Sequence, residues 1–244
     1  MPKFFVDSGC ISGGRASITG DNARHISIVL RKKPGDELLL CDENGTDYLC
    51  RVLKTDGGVL CEVMASFESG AEPDIDAGVF LAFTKGDRME MAIQKCVELG
   101  AAAIYPFACS RCVARYDAGT LVKKTARWQK IADEAAKQSM RARTPLVEPI
   151  VSFGEMLRKA SEYSVRVILY EMETHTPLRK ALSGAAGSVA LITGPEGGFE
   201  QSEIDEARAA SVLPVTIGRR ILRAETAPVC ALSALMYETG NLGG

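Results

Sequence analysis

The pattern of apolar and polar positions divides the chain into two regions. Before residue 71, short alternating runs are separated by turn residues: Glu37–Cys41 and Tyr48–Leu53 flank the Asn44-Gly45 pair, and Val59–Val63 follows. Alternation with a period of two indicates strands with one buried face, and Asn-Gly between two such runs is a strong hairpin signal. Residues 1–70 are therefore predicted to form a small β-barrel or sandwich.

The second region follows a stretch rich in glycine, proline and acidic residues, which predicts a linker at 71–77. From residue 78 onward, apolar runs alternate with segments of helical periodicity. The runs are Val79–Phe83, Ala103–Phe107, Val165–Tyr170, Val189–Ile192 and Val212–Ile217. Continuous apolar strands separated by helices are typical of a parallel sheet covered on both faces. Residues 78–244 are therefore predicted to form an α/β domain.

Two predicted helices of this region each carry one type of residue along one face, apolar in the first and basic in the second. Arg88–Leu99 carries apolar residues at helical spacing and precedes Gly100, a plausible end signal. A second helix is predicted near Lys123–Arg143, where one face is nearly all basic. Its positions, alternately four and three residues apart, are Lys123, Arg127, Lys130, Glu134, Lys137 and Arg141. Such a stripe could follow the phosphates of a nucleic acid, although a solvated helix face explains it equally well.

Composition changes this picture in one respect. The chain of 244 residues is 46% hydrophobic and 25% charged, with a formal net charge of −2, which excludes a generic polycation. Residues 85–143 nevertheless contain 12 Lys and Arg against 6 Asp and Glu. This concentration of positive charge gives modest support to a polyanionic partner.

The remaining composition indicates a cytoplasmic protein with reduced thiols. No apolar run approaches the roughly 18 residues of a membrane-spanning helix, and the first residues do not resemble a secretory signal. The chain has eight cysteines, of which Cys109 and Cys112 form a close pair. With only two histidines in the chain, a zinc site is not predicted, and a redox role for this pair is left open.

Two glycine-rich blocks carry the chemistry of the C-terminal half, LITGPEGGF at 191–199 and IGRRILRAETA at 217–227. Each follows a short apolar run and then turns sharply. In the first block Pro195 fixes its own φ, and Gly194, Gly197 and Gly198 permit positive φ and close backbone approach. Neither block matches a P-loop or a dinucleotide-binding fingerprint, although glycine-rich turns before helices often bind phosphate. Turns of this kind can wrap a ligand with main-chain groups.

Together with four other segments in the same order, these blocks resemble the RsmE-type family of 16S ribosomal RNA uridine N3-methyltransferases, which belongs to the SPOUT superfamily. The other segments are HISIVLRKKPGD at 25–36, KGDRMEMAIQKCVELGAAAIYPF at 85–107, SRCVAR at 110–115 and RWQKIADEAAKQSMR at 127–141. The resemblance covers nearly the whole chain. It implies a homodimer with a PUA-like, RNA-positioning β-barrel at 1–70 and a SPOUT domain at 78–244 that contains a C-terminal trefoil knot.

The resemblance also implies an activity and a cofactor. The family transfers a methyl group from S-adenosylmethionine to N3 of a uridine in the 16S RNA of the assembled small ribosomal subunit, leaving S-adenosylhomocysteine. No metal is implied, because S-adenosylmethionine is already an activated electrophile. The implied cofactor-binding residues are Leu169, Tyr170, Thr193, Gly194, Pro195, Glu196, Gly197, Gly198, Ile217, Gly218, Ile221, Leu222 and Thr226. Core packing is the alternative explanation for the apolar members.

Arg223 and Glu225 are the candidate catalytic residues. A carboxylate can accept the imide proton of uracil, and a guanidinium can stabilise the negative charge that develops on the base. Alternatively, the two side chains only pair with each other or cap the last helix. The chain departs from the family pattern at two positions. Glu200 replaces a serine, so entry into the next helix is expected to depend on Ser202 or on dipole compensation, and Ala224 replaces a threonine whose hydroxyl is lost.

The candidate RNA-binding residues extend the basic stripe over connected segments. They are Arg31, Lys85, Arg88, Arg111, Arg115, Lys123, Arg127, Lys130 and Arg141. Two other functions remain open: a knotted ribose 2′-O-methyltransferase, and a catalytically silent protein that keeps the fold and binds RNA.

Overall fold

The computed structural model describes residues 1–112 and 117–243. The chain divides into two compact units. The first contains Met1–Glu72 and Ala136–Arg143, and the second contains Pro73–Ala135 and Thr144–Gly244. The predicted RNA-binding residue Arg115 lies outside the described residues.

The first unit is a six-stranded sheet that curls around its own apolar core. The order of the strands is β1-β4-β5-β6-β3-β2. The predicted hairpin is present, because β4 and β5 pair antiparallel and Gly45 in the turn has a φ of 82°. The strands are β1 (Lys3–Phe5), β2 (Ile11–Ser12), β3 (Arg15–Ile18), β4 (Glu37–Cys41), β5 (Thr46–Lys54) and β6 (Val59–Glu68). The short helices are a 3₁₀ turn (Ser8–Cys10), α1 (Gly20–Arg24) and a π-helical turn (His25–Val29).

The second unit is an α/β domain with a seven-stranded sheet whose pairings are all parallel. The strand order is β10-β8-β7-β12-β11-β13, and β9 pairs with β8. The strands are β7 (Asp76–Ala82), β8 (Ala103–Ala108), β9 (Leu146–Val147), β10 (Val151–Ser152), β11 (Val165–Leu169), β12 (Ser188–Thr193) and β13 (Leu213–Val215). The helices are α2 (Arg88–Glu98), α3 (Ala118–Gln138), α4 (Phe153–Ala160), α5 (Leu178–Leu182), α6 (Gln201–Ala209) and α7 (Thr226–Glu238).

The five apolar runs predicted as strands are all strands of this parallel sheet, which confirms the α/β prediction. The last of them is shorter than its apolar pattern. β13 ends at Val215, and the next residue, Thr216, pairs with the backbone at Pro177 as an isolated bridge. The predicted helix at 88–99 is also confirmed, and Gly100 follows it with a φ of 99°.

The long basic helix is present, but it spans Ala118–Gln138 instead of 123–143, so Arg141 lies beyond its end. α3 ends at Gln138, and Met140 has a φ of 61°, which turns the chain out of the helix. Arg141 therefore does not continue the stripe. Its side chain is only 4% exposed and donates two hydrogen bonds, of 3.2 and 2.6 Å, to the carboxylate of Glu72.

Glu72 anchors this turn within the first unit. Its carboxylate also accepts hydrogen bonds from the backbone amides of Ala142 and Arg143, at 2.8 and 3.1 Å. Burial raises the pKa of Glu72, but the hydrogen bonds and charge of Arg141 outweigh burial and hold the pKa below its usual range. A residue from the predicted linker is thus part of the first unit's polar interior.

The Glu72→Gln variant should lose about 2 kcal/mol of unfolding free energy at pH 7, because the buried Arg141 guanidinium loses its charged acceptor. The native carboxyl has a lowered pKa, so its contribution is present above the ordinary glutamate pKa and disappears as the pH falls through the folded-state value. Denaturant unfolding at pH 7 and at about pH 3 should therefore show wild type and variant converging in acid. The exposed Glu68→Gln is the matched control, and an equal loss in both variants would contradict this role.

Candidate active site

The candidate site lies at the carboxyl ends of three neighbouring parallel strands. β11 pairs with β12 on one side and with β13 on the other. The loops that leave these ends are named L1 (170–177), L2 (194–200) and L3 (216–225). L2 and L3 contain the two glycine-rich blocks. In open parallel sheets, ligands bind in crevices outside the carboxyl ends of the strands, so the fold brings both blocks to the usual position of a site.

L1 and L3 are held together by backbone hydrogen bonds. The Thr216 amide donates to the Thr176 carbonyl, and the Leu178 amide donates to the Thr216 carbonyl, both at 2.9 Å. Within L1, the Glu173 carboxylate accepts from the amides of His175 and Thr176 at 2.7 and 3.0 Å. These amide hydrogen bonds lower the pKa of Glu173 and fix the shape of the loop.

L2 is a tight turn, and its residue Phe199 packs in the hydrophobic core. The Gly198 amide donates to the Pro195 carbonyl at 3.0 Å, and Gly198 has a φ of 67°. Gly194 and Gly197 could also adopt positive φ, but their φ angles are not positive. Gly194 is needed for close approach, because a Cβ there would lie 2.9 Å from the buried Phe199 ring.

The other two glycines of L2 are surrounded by neighbouring side chains. A Cβ on Gly197 would lie 3.2 Å from Cβ of Arg111, whose guanidinium donates to the Gly197 carbonyl at 3.0 Å. A Cβ on Gly198 would overlap the carboxylate of Glu171 in L1. L2 therefore packs against L1 on one side and against the turn that follows β8 on the other. The sequence offered no signal for Glu171.

The helix after L2 begins with an acidic first turn, as expected from dipole compensation. Glu200 occupies the N-cap position and forms a capping box with Glu203. Glu203 in the first turn accepts from the Glu200 amide at 2.9 Å and from the Ser110 amide at 2.8 Å. An acid three residues after the cap position is a capping-box signal that could have identified Glu203 from the sequence.

Arg88 connects L2 to L3. Its guanidinium forms an ion pair with Glu196 of L2, and its Nε lies 3.9 Å from Oε2 of Glu225 in L3. The Glu225 side chain is only 12% exposed, and its Oε2 has no hydrogen-bond partner. Arg88 was predicted to bind RNA, but the structure pairs it with two acidic residues of the site.

Arg223 has the opposite environment to Glu225. Its side chain is exposed and, within the ranges that the structure describes, forms no hydrogen bond or ion pair. The Arg223 carbonyl accepts from the amides of Thr226 and Ala227 at the start of α7, and Glu225 takes the N-cap position without a side-chain hydrogen bond. The two candidate catalytic side chains therefore do not pair with each other, and neither of them caps the last helix.

The predicted cofactor-binding residues fall into three groups by exposure. Leu169, Tyr170, Thr193 and Pro195 are buried, and the side chains of Tyr170 and Thr193 have structural partners. The Tyr170 hydroxyl hydrogen-bonds to Gln201 at 3.1 Å, and the Thr193 hydroxyl donates to the Phe80 carbonyl at 3.3 Å. The half-buried members are Gly194, Gly198, Ile217 and Leu222. The exposed members are Glu196, Gly197, Gly218, Ile221 and Thr226.

An open cleft lies between L2 and the residues at the start of α2. Its cavity volume is about 530 Å³, and it is lined by Lys85, Gly86, Asp87, Arg88 and Glu196. The cleft places the exposed amine of Lys85 next to the ion pair that links L2 and L3.

Some of the basic residues predicted to contact RNA are exposed, and others form ion pairs with acidic residues. On α3, Lys123, Arg127 and Lys130 lie on the exposed face, as the stripe predicted, but Arg127 forms a 2.7 Å ion pair with Glu90. In the first unit, the exposed Arg31 has a φ of 52°. It directly follows the exposed apolar residues Ile28, Val29 and Leu30.

Comparison with known proteins identifies the family. Residues 71–236 match the model of an RNA methyltransferase domain, and residues 18–64 match that of an RNA methyltransferase PUA domain. The chain belongs to this RNA methyltransferase family. It is 35% identical to the ribosomal RNA small subunit methyltransferase E of Bacillus subtilis, with 93% of this chain and 92% of that protein covered. It is 31% identical to the protein of that name from Mycobacterium bovis, covering 95% and 90%.

A solved structure supports the same family. The Neisseria gonorrhoeae ribosomal RNA small subunit methyltransferase E, bound to S-adenosyl methionine, matches with a TM-score of 0.86 and 31% identity, covering 97% of both chains. The family's two domains thus correspond to the curled sheet and the parallel sheet of this chain.

The described part of the chain contains neither a metal-binding cluster nor a membrane-spanning helix. Among residues 1–112 and 117–243, no group of three or more His, Cys, Asp or Glu is placed to hold a metal ion. In the same ranges, none of the helices combines the length and apolar character needed to cross a bilayer.

The Gly198→Ala variant should lower the free energy of unfolding by about 1–2 kcal/mol, because a side chain disfavours positive φ and its methyl group would overlap the Glu171 carboxylate. Gly154→Ala in α4 is the matched control. Gly154 has open space around it and a helical backbone, so alanine there should stabilise slightly. Denaturant unfolding measures both variants, and equal stability of the two would show that the L2 turn is not constrained as described.

Proposed function

We propose that this protein transfers a methyl group from S-adenosylmethionine to N3 of a uridine in the 16S RNA of the small ribosomal subunit. The observation that carries the proposal is the junction of L1, L2 and L3, where both glycine-rich blocks meet at one edge of the parallel sheet. Family membership and relatives named as small-subunit ribosomal RNA methyltransferases support the substrate class.

The chemistry of the loops fits S-adenosylmethionine. Its sulfonium and ammonium groups are cationic, and L1 and L2 contribute the carboxylates of Glu171, Glu173 and Glu196. The backbone of L3 is accessible at Gly218, which has a φ of 120° and where a Cβ would meet nothing within 4 Å. Main-chain groups of L2 and L3 would hold the adenine edge, with Ile217 and Leu222 against the ring. When bound, the cofactor supplies an electrophilic methyl group.

Arg223 and Glu225 are assigned to the uridine. The exposed guanidinium of Arg223 is free to donate hydrogen bonds to the base and to stabilise the negative charge that spreads over its carbonyl oxygens. The unpartnered Oε2 of Glu225 is available to accept the N3 proton, directly or through water.

RNA contacts are assigned to exposed basic residues of both units. Lys85 in the cleft, Arg111 beside L2, and the α3 residues Lys123, Arg127 and Lys130 form the basic surface of the second unit. Arg31 serves the first unit. Its PUA-like sheet corresponds to the predicted RNA-positioning domain at 1–70, joined through 71–77 to the SPOUT domain at 78–244. Binding through such residues should weaken as salt concentration rises.

The finer assignments follow the family resemblance. We place the enzyme in the cytoplasm, where small ribosomal subunits are its substrate, and assign it a homodimeric state. A trefoil knot in the C-terminal domain would tuck α7 beneath the loops and hold L1, L2 and L3 around the cofactor.

Arg88→Ala should weaken S-adenosylmethionine binding about tenfold, because Glu196 and Glu225 lose the cation that links L2 to L3. Lys85→Ala removes a charge from the same cleft without breaking an ion pair in the described chain, so it should leave cofactor affinity unchanged. Calorimetric titration with the cofactor compares the two variants. Equal affinities would assign Arg88 to the RNA surface alone.

Arg223→Ala should reduce turnover by about 100-fold while leaving the melting temperature unchanged, because the side chain acts on the base and has no structural partner in the described ranges. Arg219→Ala, an exposed arginine in the same loop, should retain turnover. Wild-type turnover in Arg223→Ala would remove the proposed role.

The function itself is tested with methyl-labelled cofactor and small ribosomal subunits that lack the modification. Mass spectrometry of the digested RNA should locate the label on N3 of one uridine. Label on a ribose 2′ oxygen would identify the other knotted methyltransferase activity. No transfer and no heat of cofactor binding would identify a silent RNA-binding protein.

A further inference from the structure

A pair of cysteine thiols lies beside L2, in the turn that follows β8. Residues 109–112 form this turn, in which the Cys112 amide donates to the Cys109 carbonyl at 3.1 Å. The two sulfur atoms are 3.4 Å apart, and the Cys109 amide donates to Sγ of Cys112 at 3.3 Å. Both residues are half-buried. A disulfide requires about 2.05 Å, so a movement of roughly 1.4 Å would allow the sulfurs to bond.

The two thiols differ in acidity. The hydrogen bond between the two thiols lowers the pKa of Cys112 to about 7, although burial opposes this change. The same hydrogen bond and burial raise the pKa of Cys109. The negative charge of Glu203 raises both pKa values. Because a thiolate is the nucleophile in thiol–disulfide exchange, Cys112 is the attacking residue of the pair.

The residues between the cysteines support the proposed cofactor loop. The Ser110 amide donates to Glu203 at the start of α6, and the Arg111 guanidinium donates to the Gly197 carbonyl of L2. The Arg111 side chain also packs against Gly197. Any change in this turn is therefore transmitted directly to L2.

We propose that Cys109 and Cys112 form a reversible thiol–disulfide site that reacts with low-molecular-weight disulfides, and that its oxidised form weakens cofactor binding through L2. The first part stands on the sulfur geometry alone, and the second rests on the proposed function. Shortening the sulfur–sulfur distance displaces the turn at 110–111, which loosens the hydrogen bond from Arg111 to L2.

The reaction is a two-electron exchange in two steps. The Cys112 thiolate attacks one sulfur of the small disulfide, which forms a mixed disulfide and releases one thiolate. Cys109 then loses its proton to that thiolate and attacks Sγ of Cys112, which closes the intramolecular bond and releases the second small thiolate, protonated by water. The two cysteines are oxidised, and the small disulfide is reduced to two thiols.

The first experiment measures disulfide formation in the folded protein. The six other cysteines are Cys41, Cys50, Cys61 and Cys96, which are buried, Cys10, which is half-buried, and Cys230, which is exposed. A background variant with Cys10→Ser and Cys230→Ser removes the accessible ones. This protein is equilibrated with mixtures of oxidised and reduced glutathione at about pH 7.5, alkylated and digested with trypsin. Cleavage after Arg111 separates the two cysteines, so their disulfide appears as a linked peptide pair that separates on reduction.

The expected result is that linked peptide pair. Cys109→Ser in the same background should abolish it and leave Cys112 as a glutathione adduct. Cys112→Ser should abolish both the pair and the adduct. Full alkylation of both cysteines at every glutathione ratio would overturn the proposal.

The second experiment measures S-adenosylmethionine affinity by calorimetry in the reduced and oxidised forms of the background variant. Oxidation should raise Kd about fivefold, the factor that corresponds to one lost hydrogen bond. In the Cys109→Ser variant the same treatment should change Kd less. Unchanged affinity despite a complete disulfide would overturn the second part. Failure of the reduced protein to bind the cofactor would refute the proposed function instead, and the peptide result would still decide the thiol chemistry.

Discussion

Parallel pairing of β11 with both β12 and β13 is the constraint on which the site depends. Because the three strands run in the same direction, their carboxyl ends meet at one edge of the sheet, and L1, L2 and L3 leave it side by side. β12 also pairs with β7 and is buried along most of its length, so its register is fixed by the core. A shift of one residue would exchange its two faces and displace L2.

The loops are then joined by contacts of different physical kinds. Backbone hydrogen bonds connect L1 to L3, and aromatic packing of Phe199 anchors L2. Ion pairing links L2 to L3, because Arg88 lies between Glu196 of L2 and Glu225 of L3. Arg223 is left exposed at the same edge. The site therefore holds both carboxylates and an exposed guanidinium, which are the groups that the proposed reaction requires.

Local patterns predicted those parts of the molecule that depend on neighbouring residues in the chain. Apolar runs identified the five main strands of the parallel sheet, and the Asn-Gly turn identified the hairpin of the first unit. The same reasoning placed Arg141 on the basic helix, which was wrong, because burial of Arg141 against Glu72 depends on residues far apart in sequence. The glycines of L2 were predicted only to permit positive φ, and of Gly194, Gly197 and Gly198 the folded loop places Gly198 alone in that region.

By itself, the sequence determined the α/β class, the two-part organisation and the family, because periodicity and ordered motifs are encoded along the chain. Only the tertiary structure decided which charges neutralise each other. In the sequence, Arg88, Arg223 and Glu225 are equally charged members of the recognised motifs, yet in the structure Arg88 is paired, Arg223 is exposed and Glu225 is nearly buried. Those differences arise from distances between loops on separate strands, which no local pattern specifies.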